Sequence, residues 1–293
     1  MRGAGGAARL GAVIGTLREI GRFPVKSLLG ESPERAEVVA SGVAGDRAWA
    51  LVDTETGRVA SAKHPRLWGG LLALRAVARE GAVEIWLPDG GVVRSDDPAV
   101  DSRLSEAVGR EVHLTATASP GGLYDYVWEE DDIAPREVVE GSRTGTEQGR
   151  PLSAMPMAFM APGTFQDVAP ITLMTTAGLA TMASHHPEGR WEQARFRSNL
   201  LVDVDAEGIV ENTWPGRRLT IGTATFEVTS AAPRCVMTTL AQGDLPRDRE
   251  ILRTVSRENR QEFAGLGTWA CLGVYATVVS PGDVRVGDEV RLL

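Results

Sequence analysis

Ala231-Ala-Pro-Arg-Cys-Val-Met-Thr-Thr239 decides how the rest of the chain is read, because it sets one cysteine between a Pro-Arg pair and a Val-Met-Thr-Thr run. On its own the stretch supports two readings. A lone cysteine near a strand end is commonly a small buried hydrophobe. A flanking cation, however, lowers a thiol pKa, and the thiolate is the form that ligates metals. Spacing alone does not choose between them. The other cysteine, Cys271, lies in Thr268-Trp-Ala-Cys-Leu-Gly-Val-Tyr275 without a charged neighbour and reads as core. Two cysteines exclude a disulfide framework and any four-cysteine zinc or iron–sulfur site. A Cys235–Cys271 bridge is disfavoured in a cytoplasmic setting. Four histidines, with His185 and His186 adjacent, do not make a His-rich metal site.

Outward from this stretch the chain reads as β-rich. A block from Pro170 to Leu293 carries strand patterns at Leu200–Val204, Leu219–Ile221, Ala224–Thr229, Ala270–Val279, Val284–Val286 and Glu289–Leu292. Two helices interrupt it. One is capped by Thr175 or Thr176, bears Leu179, Met182 and Ala183, and stops at Pro187; the other spans Asp248–Phe263. Upstream, residues 11–118 show strands at Gly11–Ile20, Ala48–Asp53, Leu71–Val77 and Val83–Leu87. One helix there begins near Asp97 and Pro98 and ends at Gly109. Between the blocks, residues 119–169 hold Ser119-Pro-Gly-Gly122, the acidic Glu129-Glu-Asp-Asp132 and several prolines, and read as a long loop-rich connection. The expectation is a mainly β protein with some α, in two lobes: 11–118 and 170–293.

Composition bounds the function. With 31 Lys and Arg against 39 Asp and Glu, the formal charge is −8 over 293 residues, which argues against general nucleic-acid binding. It leaves room for a local basic pocket that takes a small anion. Arg2 is followed by small residues rather than an apolar segment, and no run reaches the roughly 18 apolar residues of a membrane span. The expected setting is therefore soluble and cytoplasmic, with no membrane partner. No Gly-x-Gly-x-x-Gly, Walker loop, Gly-x-Ser-x-Gly or His-Glu-x-x-His occurs, so dinucleotide, P-loop, serine-hydrolase and zincin chemistries find no support. Several cations stand beside residues of strong positional meaning: Lys26 after Pro24, Arg47 between Gly45 and Trp49, Arg195 and Arg197 around Phe196. Most such cations are solvated surface. Converging on a helix N-terminus such as Thr175-Thr176, they would form a phosphate-type anion site.

Taken in order, these fragments resemble one family. Phe23-Pro-Val-Lys-Ser27 and Gly42-Val-Ala-Gly-Asp-Arg-Ala-Trp49 are similar to the N-terminal β-barrel domain that precedes MOSC domains, the molybdenum cofactor sulfurase C-terminal module. Phe196-Arg-Ser-Asn-Leu-Leu-Val202, Glu211-Asn-Thr-Trp214, Arg234-Cys-Val-Met-Thr-Thr239, Gly273-Val-Tyr275 and Gly287-Asp288 are similar to the MOSC domain itself, a second β-barrel. The two-domain order resembles the amidoxime-reducing components and their bacterial relatives. The resemblance covers residues 11–118 and 170–293.

The resemblance implies a molybdenum cofactor, Mo-molybdopterin, with Cys235 as the protein's sulfur ligand and catalytic residue. It further implies that Lys26, Ser27, Arg47 and Arg197 hold the pterin and its phosphate, and that Thr175, Thr176, Asn199 and Tyr275 make further cofactor contacts. Ser198 departs from the family's usual proline, and residues 119–169, expected to border the substrate opening, match nothing in the pattern. The implied activity is reduction of a small N-hydroxylated substrate by oxygen-atom transfer. An external electron-transfer reductase is then needed, since no flavin or iron–sulfur motif is visible. The rival reading is a cofactor or sulfur carrier that uses a Cys235 persulfide.

Overall fold

The structure, a computed structural model, describes residues 11–118, 121–128, 133–157 and 163–293. Its largest element is a closed barrel of seven strands. In order around the barrel they are Ile171–Thr175, Leu200–Asp203, Ala12–Ile20, Glu289–Leu292, Arg218–Ile221, Ala224–Pro233 and Thr268–Ser280, which returns to Ile171–Thr175. All neighbours are antiparallel except Ile171–Thr175 with Leu200–Asp203. A parallel pair needs a crossover, and the helix Thr176–His185 supplies it. Inward-facing Leu17, Leu173, Val202, Ile221, Phe226, Val274 and Val290 fill the interior, so this barrel is a packed core rather than a pore.

Mainly β architecture is borne out, and the pairing adds something the sequence does not announce. Ala12–Ile20, in the stretch read as the first lobe, is a full member of the C-terminal barrel, with Ala12 opposite Leu292 and Ile20 opposite Leu200. Likewise Arg35–Val39 pairs with Gly282–Arg285. The remainder of the first lobe has its own core of Val25, Leu28, Leu51, Leu74, Val83, Ile85 and Leu104. Around it lie the sheet Arg75–Arg79, Ala82–Trp86 and Val92–Arg94, the pair Ala50–Asp53 with Val112–Thr115, and the helix Val100–Val108. Gly109 closes that helix in the left-handed conformation, while Asp97 turns the chain ahead of it by accepting from the Ala99 N–H.

Three local expectations are corrected. Leu71–Val77 is not one strand: a 3-10 turn, Gly69–Ala73, precedes Arg75–Arg79 and buries Leu71 and Leu72. The helix expected over Asp248–Phe263 is Glu250–Glu258, because Asn259 leaves it to pair its side chain with Asn212 and the Cys271 carbonyl, and Arg260–Glu262 becomes a strand on Thr268–Ser280. The stretch 119–169 holds more than loop. Among its described residues, Leu123–Val127, Arg150–Pro156 and Arg143–Glu147 form an antiparallel sheet, with the helix Arg136–Ser142 beside it.

Candidate functional site

A cavity of about 770 Å³ opens between the C-terminal barrel, the first lobe and this inserted sheet. Two segments of the first lobe build its floor side by side. The Lys26 N–H donates to the Trp49 carbonyl at 2.8 Å, the Trp49 N–H to the Pro24 carbonyl at 3.0 Å, and the Arg47 N–H to the Phe23 carbonyl at 2.8 Å. The Arg195–Asn199 turn comes in from the barrel side, and the Arg47 guanidinium donates to the Arg197 carbonyl at 2.8 Å. Five non-glycine residues have positive φ among the described residues, and four of them, Ser27, Arg47, Arg197 and Ala264, line this cavity. Such backbone costs on the order of 1–3 kcal/mol per residue and persists where the surroundings over-determine it, a condition met most often at functional sites.

The floor carries excess positive charge. The Lys26 ammonium meets Asp167 at 2.5 Å and the Phe165 carbonyl at 3.0 Å; Lys63 meets the same carboxylate at 3.1 Å. Arg47 is paired with Asp46, and both Arg47 and Arg197 stack on the Phe23 ring, at 4.7 and 4.4 Å. Four cations, Lys26, Lys63, Arg47 and Arg197, thus face two carboxylates, leaving two positive charges uncompensated. Burial presses on these charges. It lowers Lys26 to about 8 against the pull of Asp167. Burial, with the neighbouring Arg47 added, also lowers the pKa of Arg197. Despite its own burial, Asp167 is held far below the usual carboxylate range by the two lysines. An anion carrying about two negative charges, such as a phosphate monoester, would relieve that surplus.

Cys235 stands half-buried on the same cavity, at the end of the strand Ala224–Pro233. The local sequence explains its presentation. It leads a 3-10 turn, Val236–Thr239, whose two threonines lock it: the Thr238 hydroxyl donates to the Cys235 carbonyl at 2.9 Å and the Thr239 hydroxyl to that of Val236 at 2.8 Å. Arg195, fully buried, holds the turn from behind by donating to the carbonyls of Thr238 and Pro246, each at 3.0 Å. Arg234 spends its guanidinium on the carbonyls of Leu272 and Phe196, beside Cys235. Gly273 lets it do so. Its φ is +78°, and a Cβ there would sit 2.5 Å from the Leu173 carbonyl oxygen and 3.1 Å from an Arg234 nitrogen. Cys271 points into the core, where burial pushes its thiol up to about 12.

Of the residues singled out from sequence, Lys26, Ser27, Arg47, Arg197, Asn199, Cys235 and Tyr275 all line this one cavity. Asn199 acts at one remove, since its amide donates to Asp46 at 3.0 Å and to the Gly21 carbonyl and its oxygen accepts from the Thr172 N–H; it positions the Asp46–Arg47 pair. Thr175 and Thr176 are not brought in. Thr175 is fully buried, caps the helix by accepting from the Gly178 N–H, and donates to Glu211 at 2.6 Å; Thr176 donates to Asp203 on the outside. Thr172, three residues earlier, lines the cavity instead.

Sequence reading missed Lys63, Asp167 and the aromatic wall of Tyr124, Tyr126, Trp128, Phe263 and Trp269. A signal existed for part of it. Tyr124, Tyr126 and Trp128 alternate, as residues on one face of a strand do. The chain has three tyrosines, and all three line the cavity.

The comparisons place this geometry in a family. The MOSC domain model matches residues 162–291 and the MOSC N-terminal beta barrel domain model residues 14–100. The chain carries a MOSC N-terminal beta barrel domain followed by a MOSC domain. It is 25% identical over 305 residues to the human mitochondrial amidoxime-reducing component 1, covering 97% of this chain and 85% of that protein. To the human mitochondrial amidoxime reducing component 2 it is 22% identical over 288 residues, covering 94% and 83%. Among solved structures, the YuaD protein from Bacillus subtilis aligns with 95% of this chain and 94% of its own, at 10% identity and a TM-score of 0.44. Residues 101–161 lie outside both family models.

Proposed function

We propose that this protein is a molybdenum-cofactor-dependent oxidoreductase that reduces N-hydroxylated compounds; its relatives are named for reducing amidoximes, one such class. The observation that carries the reading is the sharing of one cavity by a half-buried cysteine and a floor with two surplus positive charges. The donor set fits the group. Among the described residues no group of three or more His, Cys, Asp or Glu side chains is placed to hold a metal ion, so a metal here would come with ligands of its own and take one soft thiolate from the protein. Cys235 is that thiolate. Lys26, Lys63, Arg47 and Arg197 offer charge-assisted donors to the phosphate, and the Ser27 hydroxyl, which accepts from the Ala62 N–H at 3.1 Å, still has its proton to donate. Bound there, the cofactor would supply the two-electron redox couple and the oxygen acceptor that no side chain of this protein provides.

The overall change breaks an N–O bond, consumes two electrons and two protons, and releases the reduced nitrogen compound and water. The electrons come from a separate reductase. The protein's part is to exclude water, orient the N–O group and hold the cofactor. Among the described residues no helix is long and apolar enough to cross a membrane.

Protein made in a cofactor-competent host is expected to carry stoichiometric molybdenum and, with an artificial reductant, to convert an amidoxime to its amidine. Cys235→Ser should keep the fold and lose turnover by more than about 100-fold, beyond the roughly 10–100-fold that changing the outer partners of a metal's ligands costs. Cys271→Ser should remain active. Turnover at the parental rate in Cys235→Ser removes the ligand assignment. A molybdenum-free protein that passes sulfur from a Cys235 persulfide establishes the carrier reading instead.

A further inference from the structure

The wall of the cavity opposite the charged floor is a connected run of rings. Tyr126 and Trp128 lie 4.3 Å apart between centroids, Trp128 and Trp269 6.2 Å, Trp269 and Phe263 5.6 Å, and Phe263 and Tyr275 6.3 Å. Three segments contribute. The strand Leu123–Val127, with Trp128 after it, belongs to the stretch outside both family models; Phe263 and Trp269 flank the turn after Arg260–Glu262; Tyr275 comes from the barrel.

The polar atoms of the run are sorted in a particular way. Both indole N–H groups are spent on the protein: Trp128 donates to the Ser153 hydroxyl at 2.9 Å and Trp269 to the Leu266 carbonyl at 3.2 Å. What the run shows the cavity is therefore carbon, interrupted by the hydroxyls of Tyr126 and Tyr275. Tyr126 is only 7% exposed, and its hydroxyl has no hydrogen-bond partner among the described residues. A phenol hydroxyl that opens on a cavity, with no protein acceptor taking its proton, is free to donate to a ligand's acceptor. Cations are turned away, because the Lys63 ammonium already sits 5.0 Å over the Tyr124 ring and 5.3 Å over that of Tyr126. An anion is drawn instead to the floor.

Resting on the reading of this cavity as the reductase site, we propose that the ring-lined wall is a substrate subsite for a flat, uncharged aromatic body, which it holds with the N–O group turned toward Cys235. A small aliphatic substrate leaves the wall bare and gains none of its contact. The Tyr126 hydroxyl then donates to an acceptor on the substrate's polar end, making it a binding residue that sequence reading passed over.

The test uses the molybdenum-loaded protein, with benzamidoxime and acetamidoxime as probes of equal head group. Tryptophan fluorescence without reductant reads binding, and steady-state turnover with reductant reads KM and kcat. Benzamidoxime is expected to quench fluorescence with a Kd at least tenfold below that of acetamidoxime. Trp269→Ala should raise the benzamidoxime KM about tenfold more than the acetamidoxime KM, with the loss in KM rather than kcat, and Trp269→Phe should restore most of it. Equal Kd for the two probes in the parent overturns the subsite, as does an equal loss for both probes in Trp269→Ala. Preferential binding of benzamidoxime without reduction of either probe sinks the proposed reaction while the aromatic subsite stands.

Discussion

On the floor of the cavity, Ser27, Arg47 and Arg197 hold positive φ angles, and their neighbours are tied across the chain: Asp46 takes the Phe23 N–H, the Asn199 amide and the Arg47 guanidinium at once. Along the wall, Tyr124 and Tyr126 sit in an ordinary strand, and the inserted sheet is pinned to the first lobe by a different device. His64 meets Glu147 at 2.8 Å and Asp125 at 3.9 Å, with Arg58 on Asp125 and Arg66 on Glu147. The floor is over-determined by backbone geometry. The wall is docked by a few ion pairs and two backbone hydrogen bonds, from the Val59 N–H to the Leu123 carbonyl and from the Val127 N–H to the Lys63 carbonyl, each 2.9 Å. A floor of that kind suits an invariant ligand, while a wall of this kind allows substrate preference to change without disturbing it.

The largest expected break in the comparison is at the floor. Replacing Arg47 or Arg197 with Ala removes a charge-assisted contact of about 1.5–3 kcal/mol, so cofactor occupancy should fall by roughly 10–150-fold in affinity. Arg103→Ala, on the helix Val100–Val108, should leave molybdenum content as it was. Equal content in all three variants would falsify the phosphate assignment.

A smaller effect separates the floor's charge from its fold. Burial holds Lys26 near 8, below the ordinary 10.5. A group with a depressed folded pKa contributes stability that is present above its unfolded value and lost as pH falls through the folded one. Ligand-free protein should therefore gain thermal stability from Lys26 as pH climbs from about 8 toward 10.5, while its affinity for inorganic phosphate declines as that charge disappears. Calorimetric titration with phosphate across this range, set beside melting curves, checks both directions; affinity rising with pH would contradict the charged floor.

The smallest effect belongs to the wall. Burial works against the His64 cation, but Asp125 and Glu147 together raise its pKa above the ordinary value. Its contribution is then fully present below the unfolded pKa of about 6.5 and fades as pH rises through the raised folded one. His64→Gln should flatten that part of the pH–stability curve. Cleavage in residues 121–157 during limited proteolysis should increase with pH in the parent and stay level in the variant.

Much of this was legible, for reasons that can be named. Alternation and turn residues placed strands such as Glu289–Leu292, and the cap was narrowed to Thr175 or Thr176, of which Thr175 takes it, because a Thr at a helix start has a local job. Its hydroxyl stays off the cavity because the partner that takes it, Glu211, is 36 residues away and buried, which no local pattern announces. Tyr-Asp-Tyr-Val-Trp128 carried a period-two signal, yet Gly, Pro and acidic residues around it outweighed five residues of alternation. Lys63 looked like any surface lysine in Ser61-Ala-Lys-His-Pro65; only tertiary packing puts its ammonium against Asp167.

The strand Ala12–Ile20 has a consequence for how the molecule is made. Its neighbours are Leu200–Asp203 and Glu289–Leu292, so one of its edges waits until residue 203 has been made and the other until residue 292. At translation rates of about 5–20 residues per second, that is roughly a quarter of a minute to a minute. Over that interval the nascent chain can form the core around Val25, Leu51 and Ile85; Leu17 and Ile20 find Val202 and Leu200 once those are made, while the edge from Ala12 to Thr16 stays unpaired until Glu289–Leu292 arrives. Barrel closure is thus a late, long-range event whose loop-closure entropy falls on the final step.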